Sequence, residues 1–286
     1  MFSGAEPSRP HDSLPIPPRP VDLPDYENPP LAEVALGVQL DPLPQIRAAH
    51  IGLLWERFLA EFPSLQEQPP LDTAEEDFSP TRTRTITVQL MGLQPVPRHW
   101  FISRDGSRVI QVQPDRFVLN WRRVHQEEPY PRYETLRREF EDHYATYLSF
   151  FAEQKLGVPT IRHAEVNYVN QIPLDSETQR IGLSDVLRTW RPAYGPEAPF
   201  LSVAEEVRIV ERHLLSDQEG PYARLYLSAE PGAGPSVLIN LTMRGRPRGT
   251  DLRATLAFFD LARDRIVRAF TAVTTDRMHT LWRRTK

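Results

Sequence analysis

The sequence predicts an α+β protein: two pseudo-repeats of strand, helix, antiparallel meander and long helix, with the helices packed on one face of a curved antiparallel sheet. Three observations predict it. Many short segments alternate apolar and polar residues, the period of a strand with one buried face. Two long segments carry apolar residues at helical spacing instead. The order of these segments runs twice, over residues 29–158 and again over 159–286, read as two halves packed as one domain.

The elements follow in order. Residues 1–28 are a Pro-rich leader, "PSRPHDSLPIPPRPVDLPDYENPP" at its core. Proline removes donors and favours extended backbone, so a disordered tail with no packed element is expected. "LAEVALGVQL" (31–40) alternates as a strand. In "IGLLWERFLAEF", Ile51, Leu54, Trp55, Phe58, Leu59 and Phe62 make one helical stripe, and Pro63 ends it. Residues 63–81 read as a Pro- and acid-rich loop.

A meander follows. "TRTITVQLMGL" reads as a strand, and "RHWFISRDGSRVIQVQ" as a hairpin about Asp105-Gly106, a pair that tolerates the positive φ of tight turns. Pro114-Asp115 turns the chain into "RFVLNWRR". The first long helix then carries Leu136, Phe140, Tyr144, Tyr147 and Phe151 on one face, with Gly157 as its stop.

The second half opens on the strand "TIRHAEVNYVNQIPL" (160–174), followed by a short helix "LSDVLRTW" (183–190). Three strands come next, "SVAEEVRIVERHLL", "YARLYLSAE" and "SVLINLTMRG", with "EPGAGP" joining the last two. The second long helix starts at Asp251 with Leu252, Leu256, Phe259, Ile266 and Phe270 on its stripe. Thr274-Thr275-Asp276 marks a break and a new N-cap. The element order resembles the TATA-binding-protein-like fold, a likeness that does not fix function.

Composition narrows the function classes. The formal net charge of −4 gives no general attraction to nucleic acid or acidic membranes. With no cysteine, disulfides, thiolate catalysis and Cys-ligated metal are excluded. No apolar run approaches the ~18–20 residues that span a bilayer, and the N-terminus has no signal-peptide pattern, so a cytoplasmic protein is expected. Lys155 and Lys286 are the only lysines, so the cations are arginines, which suit bidentate recognition of carboxylate or phosphate.

The strand 160–174 is unusually polar. Its odd positions give His163, Glu165, Asn167 and Gln171, against Ala164, Val166, Tyr168 and Ile172. The same split sets Thr85, Thr87 and Gln89 against Ile86, Val88 and Leu90. Elsewhere it yields Gln111 and Gln113; Asn120 and Arg122; Tyr222, Arg224 and Tyr226; and Asn240, Thr242 and Arg244. A solvated sheet face accounts for alternation. It accounts less well for a face rich in amides, hydroxyls and tyrosines, the groups that fix polar ligands. A noncatalytic ligand- or partner-binding module is therefore expected, with Tyr222, Arg224, Tyr226, Asn240, Arg244, His163, Glu165 and Asn167 as binding residues.

No catalytic residue, metal or cofactor is assigned, since no P-loop, nucleophile elbow or H-E-x-x-H occurs. A metal-assisted hydrolase using His163, Glu165, Glu211 and His213 is the alternative, provided their strands adjoin. Glu139 and His143, four apart on the first long helix, read as a local contact. A third reading places nucleic acid on Arg98, Arg104, Arg108, Arg116, Arg122 and Arg123, near Trp100, Phe101 and Trp121. Against it, Phe117 and Trp121 fall on the core face and the overall balance is acidic.

"NPPLAEVALGVQL", "EVNYVNQI" and "FDLARDRIVRAFTAVTTDRMHTLW" resemble, in order and spacing, a sporadically distributed bacterial family of uncharacterised activity. The resemblance spans residues 28–284. Where such proteins look like "RYINRI" this chain has "NYVNQI", which removes a positive charge at Gln171. The resemblance implies no substrate or cofactor. It suggests an accessory bacterial gene, such as a sensor or an antitoxin-like or defence-associated protein, with an unknown protein or small molecule as partner.

Overall fold

The computed structural model describes residues 14–43, 45–73, 76, 78, 97–125, 128–174, 181–191 and 206–286. The elements run β1 (Leu31–Leu40), α1 (Ala48–Phe58), β2 (Ser64–Gln68), β3 (Arg98–Ile102), β4 (Arg108–Gln113), β5 (Arg116–Arg122) and α2 (Tyr133–Glu153). They continue with β6 (Ile161–Pro173), α3 (Leu183–Val186), β7 (Ile209–Asp217), β8 (Gly220–Pro231), β9 (Ser236–Gly245), α4 (Leu252–Val273) and α5 (Asp276–Leu281). Among the described residues, nine strands form one antiparallel sheet in the order β2-β3-β4-β5-β1-β6-β9-β8-β7. The α+β class is as expected.

Alternation decides which face meets the helices. Val34, Leu36 and Val38 of β1 lie opposite Trp121, Leu119 and Phe117 on one side, and Tyr168, Val166 and Ala164 on the other. All are buried. Against this apolar face pack α2, which touches β1 and β5, and α4, which touches β6 and β9. The α2 stripe is buried as expected, and Phe140 meets Phe259 of α4 edge-on at 4.9 Å between ring centroids. Burying rings of this size removes the most apolar area per residue, so this layer dominates the core.

Ionic groups also bridge the two long helices. Asp260 of α4 accepts hydrogen bonds from the Tyr133 hydroxyl (2.6 Å) and from Arg137 Nε (2.9 Å), both on α2. Arg263 donates back to Glu134 at 2.8 Å.

Several local readings are corrected. Ser64–Gln68, expected within a loop, is the edge strand β2 paired with β3. Its side chains are nearly all exposed, so it lacks the apolar alternation that marks a half-buried strand. Leu59 lies past the end of α1 and is exposed. The leader joins the fold before residue 28: Leu23 and Tyr26 are buried, and Tyr26 sits in an aromatic group with Phe270, His279 and Trp282. Backbone bonds from Glu27 and Asn28 to the Arg283 and Trp282 carbonyls, and the pairing of Asp25 with Arg132, fix the same segment.

The hairpin turn is as read. Gly106 has φ +76°, and the Asp105 carboxylate accepts from Ser103 Oγ and from Ser107 N and Oγ. Those donors, Ser103 first, pull its pKa down to about 2. The break after α4 also holds, but Thr275 at the N-cap donates its hydroxyl to the Asp185 carbonyl instead of capping α5. The strand read in "TRTITVQLMGL" lies outside the described residues, as does the start of "SVAEEVRIVERHLL".

His143 does not make its expected local contact with Glu139, which instead pairs with Arg108. The imidazole lies among Phe58 and Phe62, and burial pushes its pKa down to about 4. Glu61 stands 3.6 Å away, but that carboxylate is largely exposed and screened, so burial prevails and the ring is neutral. The folded pKa is below the unfolded value near 6.5. The unfolded chain therefore takes up the proton first, and stability falls as pH drops from about 6.5 towards 4. The contribution is on the order of 3 kcal/mol at the acid end. Urea unfolding of wild type and His143→Phe across this range should show a shallower pH slope in the variant; equal slopes would mean that the ring is solvated.

Candidate functional site

The face away from the helices carries the polar residues in cross-strand rows. One row runs Arg116, Gln39 and His163 across β5, β1 and β6. The next runs Gln111, Val118, Gly37, Glu165, Arg244 and Arg224 from β4 to β8. A third places Asn120, Ala35, Asn167, Thr242 and Tyr226 in line. Small residues in mid-sheet hollow the surface. A Cβ on Gly37 would stand 2.9 Å from Val118 Cγ2, so any side chain here would crowd the floor.

The hollow is a cavity of about 370 Å³ over β1, bordered by β5 and β6. Leu71 and Asp72 wall it from above. Leu71 exchanges backbone–amide hydrogen bonds with Gln113, Thr73 Oγ1 donates to Asp115 (2.9 Å), and Arg116 donates to the Asp72 carbonyl (2.9 Å).

The walls differ in chemistry. Arg98 and Arg116 have no carboxylate within 4 Å among the described residues. Arg98 donates to Gln111 Oε1 at 2.7 Å, and Arg116 to Gln39 at 3.4 Å. Burial lowers the pKa of both; Arg116 lowers that of Arg98 further, while Glu165 is the leading opposing influence on Arg116. His163 is 4% exposed, and neither ring nitrogen has a hydrogen-bond partner among the described residues. Burial first, then Arg246, pushes its pKa down to about 4, leaving a neutral imidazole with one donor and one acceptor unused. On the far wall, burial raises the pKa of Glu33, against the hydrogen bond from Asn120.

Most of the expected binding residues converge here. His163, Glu165, Asn167 and Arg244 line the cavity. Arg224 and Tyr226 lie beside it and hold Glu76, with Arg224 Nη1 to Oε2 at 2.6 Å and the Tyr226 hydroxyl to Oε1 at 2.5 Å. Tyr222, near the start of β8, and Asn240, midway along β9, share the face but lie outside the cavity.

Sequence reasoning missed Glu33, Gln39 and Glu76 as site residues. Alternation in "LAEVALGVQL" is the signal that could have found the first two, which share its odd positions; nothing local marks Glu76. Arg98 and Arg116 had been weighed only as nucleic-acid contacts. Of the rings in that reading, Phe101 and Trp121 are buried, Trp100 is clasped by Arg98 and Arg122, and Arg108 is tied to Glu139 on the helix side.

The four-residue metal set is not assembled. β9 and β8 separate β6 from β7. Glu211 and His213 also lie opposite Leu227 and Leu225, on the helix side of the sheet, whereas His163 and Glu165 face the cavity. No group of three or more metal-ligating side chains occurs among the described residues. Gln171 lies in a separate hollow between the leader and the C-terminus. No helix among the described residues is long and apolar enough to cross a membrane.

The chain has no significant match among protein-family models, curated proteins or solved structures.

Proposed function

We propose that this protein is a noncatalytic binding module whose ligand is a small polar anion seated in the cavity on the open face of the sheet. The observation that carries the reading is the cluster of unspent polar capacity along one wall. Among the described residues, Arg98 and Arg116 have no carboxylate within 4 Å, and neither ring nitrogen of buried His163 has a hydrogen-bond partner. Buried polar groups are normally paired, and each unpaired one costs free energy. A carboxylate or phosphate offers the acceptors that both arginines need. The Asn167 amide suits a hydroxyl- or amide-bearing body, while those of Gln111 and Asn120 are bonded to each other, with Arg98 and Glu33 as further partners.

The strand order adds support. It reads β2-β3-β4-β5-β1 and β7-β8-β9-β6 from the two edges, meeting at β1 and β6, so that four strands on each side correspond once the edge strand β2 is set apart. We read this as two pseudo-repeats joined edge to edge, with the cavity at their seam. Seams between repeats are common ligand positions. The resemblance to an accessory bacterial family is in keeping with a sensor that reports such a ligand.

Thermal unfolding with small polar anions at matched ionic strength tests the reading. Inorganic phosphate, sulfate and short di- and tricarboxylates form the set. At 100 times its Kd, a ligand bound only by the folded state contributes about 2.7 kcal/mol, a Tm shift of a few degrees. At least one member should give a saturable rise, and a flat response across the set would oppose the assignment.

A further inference from the structure

The cavity on the open face carries charge of both signs, and its charges do not neutralise one another. Arg98 and Arg116 line it together with Glu33. Arg116 stands opposite Gln39 on β1, and Glu33 lies near the other end of that strand. The backbone between Glu33 and Gln39 spans about 20 Å, which the side chains shorten by reaching inwards. Amides keep the opposite charges apart. Arg98 Nη1 donates to Gln111 Oε1 (2.7 Å), Gln111 Nε2 donates to Asn120 Oδ1 (2.6 Å), and Asn120 Nδ2 donates to Glu33 Oε1. This chain of bonds uses one oxygen of Glu33. The other, Oε2, has no hydrogen-bond partner among the described residues, and no cation among them lies within 4 Å of the carboxylate. Arg122, its cross-strand neighbour on β5, turns instead to the Gly106 carbonyl (2.7 Å) and the Trp100 ring. Burial raises the Glu33 pKa, outweighing the Asn120 bond and the more distant charges of Arg122 and Arg98.

We infer that the ligand is a zwitterion, an amino acid or a molecule of that class, whose anionic end meets Arg98 and Arg116 and whose ammonium end meets Glu33. The inference rests on the anion reading of the same cavity and adds the second end. An ammonium at Oε2 supplies the missing positive partner through a charge-assisted hydrogen bond. It also offsets the burial that disfavours the Glu33 carboxylate. The nitrogen carries hydrogens. Among the described residues no Phe, Tyr or Trp lines the cavity, so the aromatic faces that hold a quaternary ammonium are lacking there. A volume of about 370 Å³ admits a molecule of amino-acid size.

Isothermal titration calorimetry at neutral pH and fixed ionic strength compares full-length wild type with Glu33→Gln. Two straight-chain series are the probes: ω-amino acids from glycine to aminohexanoate, and the matching acids without the amine. The series scans the span between the two ends of the cavity. In wild type, one or more amino acids should bind at least ~10-fold more tightly than the matching acid, the scale of a charge pair at a desolvated site. Glu33→Gln should bring that ratio close to unity. N-acetylation of the best amino acid should remove the same gain in wild type, which decides the matter even if Glu33→Gln does not fold. Equal affinities for acid and amino acid, a gain that survives Glu33→Gln or N-acetylation, or no binding by any amino acid would overturn the inference. The thermal response to phosphate, sulfate and the di- and tricarboxylates tests the anionic end separately, so the anion reading can stand where the zwitterion fails.

Discussion

Asp260→Ala should destabilise the fold by about 3 kcal/mol, among the largest losses from any single non-aromatic change. Asp260 accepts from Tyr133 and Arg137, and the Arg137 side chain is 4% exposed. Removing the carboxylate leaves that guanidinium with Glu141 Oε2 at 3.8 Å as its remaining acidic neighbour. An uncompensated buried charge costs more than the ion pair contributed when intact, which is why truncating one partner is severe. The link joins the two long helices, α2 and α4. Urea denaturation of Asp260→Ala, Arg137→Met and the double variant measures it. The double variant should recover part of the single-variant loss, because it removes the stranded charge together with its partner. Additive losses would show that Arg137 is solvated.

Arg98→Met/Arg116→Met should act in the opposite direction on stability. The two guanidinium groups repel, their pKa values are lowered chiefly by burial, and each has a buried Nε without a partner among the described residues. Replacing them with apolar side chains of similar length should stabilise the apo protein by about 1 kcal/mol. The same change should weaken the cavity's anionic ligand by ~30-fold or more, the scale for losing charge-assisted partners at a desolvated site. A gain in Tm with a loss of binding marks residues kept for function at the expense of stability. Lower stability with unchanged binding would assign both arginines to the scaffold.

How far the sequence could lead follows from the physics of each element. Period-two alternation in β6, β8 and β9 identified the open face because a half-buried sheet enforces it along every central strand. The α2 and α4 stripes were legible for the same reason at helical period. The edge strand β2 was not, since neither of its faces is buried and "SLQEQ" carries no pattern. His163, Glu165, Asn167, Arg224, Tyr226 and Arg244 were reached from alternation alone. Their actual partners were not, because cross-strand order is set by tertiary pairing. Sequence alone could not show that β9 and β8 separate His163 from His213, or that Glu76 crosses to β8. Long-range contacts of this kind have no local signature.

The most direct measurement is native mass spectrometry of the untagged chain isolated from cells, beside Arg98→Met/Arg116→Met prepared identically. A small-molecule mass above the 33.0 kDa chain should accompany the wild type and be missing from the variant. Bare wild-type protein even after incubation with a small-molecule extract, or an adduct that the variant retains equally, would contradict an anion-binding cavity on the open face of the sheet.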